Sequence, residues 1–487
     1  MKKVRYITLI LCFAILSALF SSCKNVPHTH SFNQTEIVTP NTCQAGGEII
    51  RKCSCGEGEI FKTSPKSHLL ADWEDNGGEY VKVCTLCGET VGSERIYTYL
   101  SEGLTFERDL RSDHYSVAGI GKCTDAVVVI PAEFNGIPVT KISDHAFKDC
   151  ENIEAIIIPD SVTEIGRAAF EDSSVKRIFI PDSVTKIGNE AFSQCNALSQ
   201  LILPNSLKSI GKAILKGARN IEKVILPQGL SILPDSAFAY SSIVSLSLPE
   251  GLEKIEDSAF ANCWSLKEIC LPDTLTEIGS EAFADCTSLT DLILPDSVTH
   301  LGKAAFSGCT SLSSVNIPDG VTSLSSKIFY NCESLKKIYL NANLNSIDGS
   351  SFFGINLAET ELLIPNENKT FYLIGSSLIG KNPDTVVIGS ADGTIPTDGH
   401  ITRLGNGAFI DRRDLTHIVI PKNITHIGGG AFSGCTNLVS ISYEGTVAEW
   451  KEVFLGVVWY NGNGVSSVKC SDGEAELVVE SFPSVRD

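Results

Sequence analysis

A pattern of apolar and polar positions recurs along the chain with a period of 22 or 23 residues. Each repeat opens with an apolar alternation of the form LxxIxI that ends in proline. It continues with a shorter alternation of the form VTxIG and closes with a small residue, phenylalanine and often cysteine. Alternation with a period of two predicts half-buried strands, and proline ends a strand because it cannot donate to the ladder. The fixed period predicts a solenoid. The repeat prolines are Pro159, Pro181, Pro204, Pro227, Pro249, Pro272, Pro295 and Pro318.

Stacking explains how so short a unit can fold. Equivalent strands of successive coils pair in parallel, and each coil buries its apolar residues only against its neighbours. The small residue, phenylalanine and cysteine have a spacing that suits one turn of helix, with phenylalanine as the plug between coils. The predicted fold class is therefore a β-rich solenoid of short parallel strands with short helical turns.

The same pattern sets the domain boundaries. Residues 96–152 are interpreted as an opening coil, residues 153–446 as the repeats and residues 447–487 as a C-terminal cap. Residues 354–407 depart from the pattern and are interpreted as a degenerate or inserted coil.

The recurring string IPDSVTxIGxxAFxxCxSL resembles the BspA-like, or Treponema pallidum-type, leucine-rich repeat of bacterial surface proteins. The resemblance covers roughly residues 96–446; residues 115–147 resemble the opening coil of that family and residues 441–453 its closing segment. It implies a right-handed superhelix of leucine-rich repeats. It also implies adhesion to, or recognition of, molecules on a host or neighbouring cell.

Residues 1–23 have the composition of an export signal. Basic residues precede an apolar run of 14 residues from Ile7 to Phe20, which is short for a membrane-spanning helix. Two serines before Cys23 resemble a bacterial lipobox, which implies that Cys23 carries a lipid anchor, although the lipobox pattern prefers an aliphatic residue at Phe20. Ordinary signal cleavage and a cytoplasmic protein with an apolar start are the alternatives. With the lipid anchor, the protein is expected to be exported and held at the cell surface.

Residues 24–95 form a small Cys/His module with an internal duplication. The phrases GEIIRKCSCGE and GEYVKVCTLCGE align, and a histidine lies upstream of each. Cys53, Cys55, Cys84 and Cys87 supply four thiolates, which suits a structural, tetrahedral zinc site. Cys53 and Cys55 are one residue closer than in the usual zinc motif, so disulfides and reduced thiols are the alternatives. No other cofactor is expected.

The spacing of the repeat cysteines is unlike that of the cysteines in a disulfide framework. Cys263, Cys286, Cys309 and Cys332 are each 23 residues apart. Other repeats place small residues there, such as Ser174, Ala218 or Ser242. This favours buried free thiols, because in-register cysteines have parallel Cβ vectors that do not point at each other. Occasional disulfides and a metal ladder are the alternatives.

Charge and motifs narrow the function classes. The formal net charge of −19 argues against nucleic acid as a partner. The sequence has no HExxH and no GxSxG motif, and its GIGKCT segment lacks the spacing of a phosphate-binding loop. Aspartates that follow the repeat prolines are interpreted as turn residues. We therefore expect no catalysis.

The candidate binding surface comes from the strand residue between the two inward-facing ones. In register, these residues form one column: Ile157, Phe179, Ile202, Ile225, Ser247, Cys270, Ile293, Asn316 and Tyr339. Its apolar members, Ile157, Phe179, Ile202, Ile225, Ile293 and Tyr339, are the predicted ligand-binding residues. A β-branched ladder that merely stiffens the sheet is the alternative.

Together these features predict a surface-anchored protein that binds a protein or a glycan on a host or neighbouring cell. Only the N-terminal lipid would touch the membrane. A spacer that presents the Cys/His module is the first alternative. A hydrolase that uses acidic residues on one solenoid face is the second.

Overall fold

The chain is described by a computed structural model. It describes residues 100–477 except 110–112, 356–358, 382, 391, 398–399 and 461–464, together with the backbone of six strands between residues 32 and 95.

Those six N-terminal strands form two antiparallel sheets of three strands each, with orders β1-β2-β3 and β4-β5-β6. They are β1 (Phe32–Thr39), β2 (Glu48–Cys53), β3 (Gly58–Lys62), β4 (Glu74–Asp75), β5 (Glu79–Val83) and β6 (Thr90–Arg95). The aligned phrases GEIIRKC and GEYVKVC supply the middle strands β2 and β5 of the two sheets. The backbone is thus consistent with the duplication seen in the sequence.

The rest of the described chain is a β-solenoid of about 15 turns with almost no helix, which confirms the predicted fold class. Most coils contribute a longer strand to one ladder, the long-strand face. These strands are β9 (Val127–Val129), β12 (Ala155–Ile157), β14 (Arg177–Phe179), β16 (Gln200–Ile202), β17 (Lys223–Ile225), β19 (Ser245–Ser247), β21 (Glu268–Cys270), β24 (Ser314–Asn316), β26 (Lys337–Tyr339), β28 (Glu361–Leu363), β33 (His417–Ile420), β35 (Ser440–Tyr443) and β37 (Ser467–Cys470).

Most coils also contribute a strand, usually of two residues, to a second ladder, the short-strand face. It comprises β8 (His114–Gly119), β11 (Ile137–Ile142), β13 (Glu164–Ile165), β15 (Lys186–Ile187), β18 (Ile232–Leu233), β20 (Lys254–Ile255), β22 (Glu277–Ile278), β23 (His300–Leu301), β25 (Ser323–Leu324), β27 (Ser346–Ile347), β31 (Thr385–Ile388), β32 (Arg403–Leu404), β34 (His426–Ile427) and β36 (Phe454–Leu455). Antiparallel strands β7 (Thr105–Asp109), β10 (Glu133–Phe134), β29 (Phe371–Ile374), β30 (Ser377–Gly380) and β38 (Gly473–Glu476) flank the two faces.

The third side of each coil, the turn face, is built around the repeat phenylalanine, where the sequence predicted one turn of helix. In the coil of Phe283, Ala284 N donates to Glu281 O (3.0 Å), while Phe283 N donates to Ala305 O of the next coil (2.8 Å). Glu281 and Asp285 are left-handed, with φ of 56° and 57°. In a helix every amide would donate to a carbonyl of its own coil. Here every second amide donates to a carbonyl of the next coil instead.

Stacked phenylalanine rings fill the interior, as the plug interpretation expected. From Phe238 through Phe260, Phe283, Phe306 and Phe329 the ring centroids of neighbours are 5.0–5.7 Å apart, with interplanar angles of 10–17°. These rings are fully buried. The stack continues to Phe352 at 6.0 Å and resumes further along the chain between Phe409 and Phe432 at 5.3 Å.

The repeat is interrupted between Phe352 and Phe409, within the segment that the sequence marked as degenerate. Strands β29, β30 and β31 form an antiparallel meander there, and β31 then pairs in parallel with β32. Gly389 packs closely against the ring of Phe409. A Cβ atom on Gly389 would lie 2.1 Å from that ring. The hydrophobic core is correspondingly divided in two, and the parts meet around residues 379–388.

Arg412 occupies the repeat-cysteine position in the first coil after this interruption. It is buried, donates through Nε and Nη2 to both carboxylate oxygens of Asp414, and donates through Nη1 to Ser390 O at 2.9 Å. The bidentate pair holds the pKa of Asp414 below its usual range, first through the hydrogen bond to Arg412. The side chain therefore ties the resumed repeats to the inserted segment.

The C-terminal end is closed by non-repeating elements. Helix α1 (Val447–Lys451) begins at Thr446 with a capping box to Glu449 and buries Trp450 against Tyr443. The antiparallel hairpin β37–β38 ends the long-strand face, and β36 ends the short-strand face. No helix in the described part of the chain is long and apolar enough to cross a bilayer.

Candidate functional site

The predicted column lies on the long-strand face, where the strands pair in register. Ile157 pairs with Phe179, Ile202 with Ile225, Ser247 with Cys270, and Asn316 with Tyr339. Asp291 bridges the strands on either side of it, which brings the coil of Ile293 into the same ladder. The residues therefore share one row, as the alternation predicted.

Exposure along that row is lower than an outward apolar stripe implies. Ile202 and Ile225 are 7% exposed, and Ile157, Phe179, Ile293 and Tyr339 are half-buried. Coils stack at roughly the 4.8 Å spacing of paired strands, so bulky neighbours cover each other. The ligand-binding role of the row stays a prediction.

A row of polar and charged residues lies two positions upstream on the same face. Arg177 pairs with Gln200, Gln200 with Lys223, and Glu268 with Asp291. On the short-strand face, ion pairs join neighbouring coils, as between Lys254 and Glu277 at 2.9 Å. Charges of both signs occur along the array, which favours no polyanion or polycation as a ligand.

The repeat cysteines form a ladder of buried thiols in the interior. Each thiol donates to the phenylalanine carbonyl of the coil before it. Cys263 Sγ lies 3.1 Å from Phe238 O, Cys286 Sγ 3.2 Å from Phe260 O and Cys309 Sγ 3.2 Å from Phe283 O. None of the described cysteines forms a disulfide, which agrees with the interpretation as buried free thiols.

Two repeats without cysteine use serine at this position. Ser173 and Ser241 are buried, and their hydroxyls lie 3.6 Å from Cys195 Sγ and Cys263 Sγ. The sequence analysis assigns Ser174 and Ser242 to the cysteine position, which is one residue C-terminal to the serines that occupy it. Each of these coils is one residue shorter than the 23-residue coils. The missing residue falls after the buried serine rather than before it.

Burial makes these thiols unreactive. It raises the pKa of Cys195, Cys263 and Cys332 to about 12 and that of Cys435 to about 11. It also raises the pKa of Cys286 and Cys309 well above the ordinary thiol value. The thiolate is the reactive form, and at pH 8 a pKa of 12 leaves about one thiol in ten thousand ionised. The ladder is therefore structural.

Native alkylation is expected to spare this ladder. At pH 8, iodoacetamide should label Cys195, Cys263 and Cys332 only after unfolding in urea, as measured by peptide mass spectrometry. Half-buried Cys123 serves as the faster-labelling control. Because the folded pKa is raised, the folded state binds more protons, so stability should fall as pH rises from about 8.5 toward 12. Native labelling, or a disulfide within the ladder, would contradict this assignment.

Exposed aromatic side chains break the repeat in two adjacent coils. Tyr240 and Trp264 are 45% and 47% exposed, and their rings form an edge-to-face pair with centroids 6.1 Å apart. Val244, four residues after Tyr240, is 47% exposed. We call Tyr240, Val244 and Trp264 the aromatic patch.

Each patch residue replaces a smaller or more polar one. The position of Trp264 is Asn196, Arg219, Thr287 and Thr310 in other coils, and that of Val244 is Lys176, Glu222, Lys267 and Thr290. The side chains of Trp264 and Val244 expose apolar area, although other coils carry polar residues at the same positions. An interaction surface is the usual reason for such an exception.

Tyr240 is also in an unfavourable backbone conformation. It lies two residues after the repeat phenylalanine, where φ is positive throughout the described coils. The other occupants are mostly glycine, asparagine and aspartate, the residues that tolerate this region: Asp149, Asp172, Gln194, Gly217, Asn262, Asp285, Gly308, Asn331, Gly354, Asp411 and Gly434. Tyr240 has φ of 62°. Holding tyrosine in this region costs about 1 kcal/mol relative to glycine or asparagine.

Sequence reasoning missed the aromatic patch because it searched the strand positions. A signal was available: reading the aligned repeats column by column shows a single tyrosine and a single tryptophan at otherwise small or polar positions. The patch lies at the edge of the turn face rather than on the long-strand face.

The predicted lipid-attachment and zinc residues fall outside the described side chains. Cys23, Cys55, Cys84 and Cys87 are outside the described residues, and of Cys53 only the backbone is described, at the end of β2. The lipid anchor and the structural zinc stay predictions. Among the described side chains, no group of three or more His, Cys, Asp or Glu is arranged to hold a metal ion.

Comparison with known proteins identifies the repeat. Residues 140–266, 253–373 and 393–455 match the BspA type leucine rich repeat region in six copies. The matched residues cover more than half of the chain. A search of curated proteins gives no significant match.

Solved structures of leucine-rich repeat proteins resemble the chain. One, a leucine-rich repeat protein from Bacteroides ovatus, is 25% identical, with 72% of this chain and 91% of that one covered and a TM-score of 0.46. A leucine rich cell surface protein from Faecalibacterium prausnitzii is 22% identical, with 74% and 98% covered and a TM-score of 0.39. The T. pallidum leucine rich repeat protein is 24% identical, with 52% and 86% covered and a TM-score of 0.21.

Proposed function

Since the chain belongs to the family of BspA-type leucine-rich repeat proteins, we propose that it is an exported recognition protein. It binds a protein on a host or neighbouring cell and performs no catalysis. The observation that carries this proposal is the aromatic patch of Tyr240, Val244 and Trp264.

The chemistry of the patch favours a protein partner. Tryptophan and tyrosine dominate the binding energy of protein interfaces because they bury a large rigid area and keep a polar tip for hydrogen bonding. Tyr240 and Trp264 lie on adjacent coils of a rigid stack, so little conformational entropy is lost when they are covered. A solenoid presents such residues on an extended surface that a partner can follow over several coils.

Charge constrains the partner further. The net charge of −19 favours a neutral or basic protein surface and disfavours nucleic acid. The half-buried members of the strand column, such as Phe179 and Tyr339, are proposed as secondary contacts only. Ile202 is too buried for that role at 7% exposure.

Export and anchoring complete the proposal. The apolar run from Ile7 to Phe20 acts as the export signal, and Cys23 receives the lipid that holds the protein at the cell surface. A lipid on one cysteine leaves the solenoid outside the membrane and accessible to another cell.

A solid-phase binding screen tests the proposal. The full chain is presented to extracellular matrix proteins and, in parallel, to an array of glycans. We expect saturable binding to at least one protein that is lost when Trp264 is replaced. Binding to glycans alone would contradict a protein partner, and binding to neither set would favour a spacer that presents the Cys/His module.

A further inference from the structure

A cleft opens where the inserted segment interrupts the short-strand face. It has a volume of about 530 Å³. The residues that line it include Ser346, Ile347, Asp348, Gly349, Val387 and Asn406. A volume in this range suits a small molecule.

The cleft exists because β27 lacks a following strand. In several other coils an amide of the next coil donates to this carbonyl, as Gly279 N does to Ile255 O and Gly302 N to Ile278 O, both at 2.8 Å. In the described residues no such amide reaches the carbonyl of Ile347, and β27 pairs only with β25.

Ile347 shows the consequence of the missing strand. Its equivalents Ile255, Ile278, Leu301 and Leu324 are at most 2% exposed, whereas Ile347 is only half-buried. An interior position of the repeat is thereby opened to a ligand. Val387 on β31, which is also half-buried, lines the same cleft.

One end of the cleft is closed. Gly349 approaches the next coil so closely that a Cβ on it would lie 2.2 Å from the carbonyl oxygen of Asn406. An extended peptide that paired with β27 would run into this contact. The shape therefore favours a compact ligand over strand addition.

The cleft is lined mostly by polar groups, and Ile347 and Val387 are among its apolar residues. Asp348 Oδ1 accepts from Ser350 N at 2.9 Å, while its Oδ2 has no partner among the described residues. Ser346 is exposed, and Asn406, whose Oδ1 accepts from Gly429 N at 2.9 Å, also lines the cleft. Among the described lining residues there is no Lys, Arg or His, and Asp348 would repel an anion.

We propose that this cleft binds a neutral saccharide of one or two rings. The C–H face of a sugar ring packs on Ile347 and Val387, and its hydroxyls bond to Asp348, Ser346, Asn406 and the open Ile347 carbonyl. A carboxylate, an amide and hydroxyls give the mixture of acceptors and donors that a polyol needs. The site is independent of the aromatic patch and of the protein partner proposed above.

Saturation-transfer difference NMR tests this site on the full chain, in a detergent without a sugar headgroup. The probes are D-glucose, D-galactose, D-mannose and N-acetyl-D-glucosamine at millimolar concentration. We expect transfer to at least one probe. Ser346→Trp should fill the cleft and weaken binding about tenfold or more.

The repeat supplies a matched control. Ser323 is the register partner of Ser346 in the preceding coil, is also exposed and does not line the cleft. Ser323→Trp should leave the transfer unchanged, and so should Trp264→Thr, which disables only the aromatic patch. Transfer that persists in Ser346→Trp, or no transfer to any probe with the unaltered protein, overturns the proposal. Binding of an extended peptide instead would identify strand addition.

Discussion

Phe283→Ala is expected to lower the free energy of unfolding by about 3–5 kcal/mol, the largest stability loss that we predict for a single substitution. Phe283 is fully buried between Phe260 and Phe306, with ring centroids 5.0 and 5.7 Å away. Removal of the ring leaves a cavity on both sides. In a stack of coils each interface supports the next, so two interfaces weaken together.

Phe283→Leu is the matched control for this experiment. The chain itself places Leu215 at the equivalent position of another coil, where it is fully buried. We therefore expect Phe283→Leu to cost only about 1 kcal/mol. Urea unfolding followed by circular dichroism measures both variants. Equal losses for alanine and leucine would show that the ring stack does not support the coils.

Trp264→Thr is expected to weaken partner binding by about 2 kcal/mol, or about 30-fold, while the free energy of unfolding changes by less than about 0.5 kcal/mol. Threonine is the residue that the next two coils carry at this position, as Thr287 and Thr310. Since Trp264 is 47% exposed, its replacement removes contact area for a partner and leaves the core intact.

A titration calorimetry comparison with the partner from the binding screen measures this effect. Thr287→Ala, at the same position one coil later, is the control and should bind as the unaltered protein does. Weaker binding in both variants would point to the coils as a whole rather than to the aromatic patch. Unchanged binding in Trp264→Thr would remove the patch from the interface.

The ladders could be predicted from sequence because one phrase specifies one coil. The apolar alternation before Pro295 and the shorter alternation that includes Leu301 recur at a fixed distance from each other in every repeat. Each ladder therefore follows from parallel stacking of equivalent strands. The stacked rings follow from the same argument, since Phe283 and Phe306 occupy equal places in neighbouring coils.

The turn face could not be read from spacing alone. The spacing of the small residue, Phe283 and Cys286 is compatible with one turn of helix, and the sequence therefore predicts such a turn. Asp285 is the informative residue, because its position is filled in most coils by residues that tolerate positive φ. Such residues interrupt a helix and direct alternate amides to the next coil.

The candidate sites were the least predictable part of the molecule. Alternation assigns Ile202 to the outer side of the strand, but the extent to which neighbouring side chains cover it depends on their packing. The cleft beside Ile347 depends on the path of an inserted segment that has no repeating counterpart. Tyr240 and Trp264 could have been found from the alignment, because each departs from its own column.

We propose that partner binding resides where the repeat is broken, in the aromatic patch. Tyr240→Asn tests it most directly, because asparagine restores the residue that Asn262 and Asn331 provide at this position. With the strain at φ of 62° relieved, we predict a gain of about 1 kcal/mol in the free energy of unfolding. In the same preparation, partner binding should fall at least about tenfold. A variant that is more stable and still binds as tightly as the unaltered protein would contradict the claim.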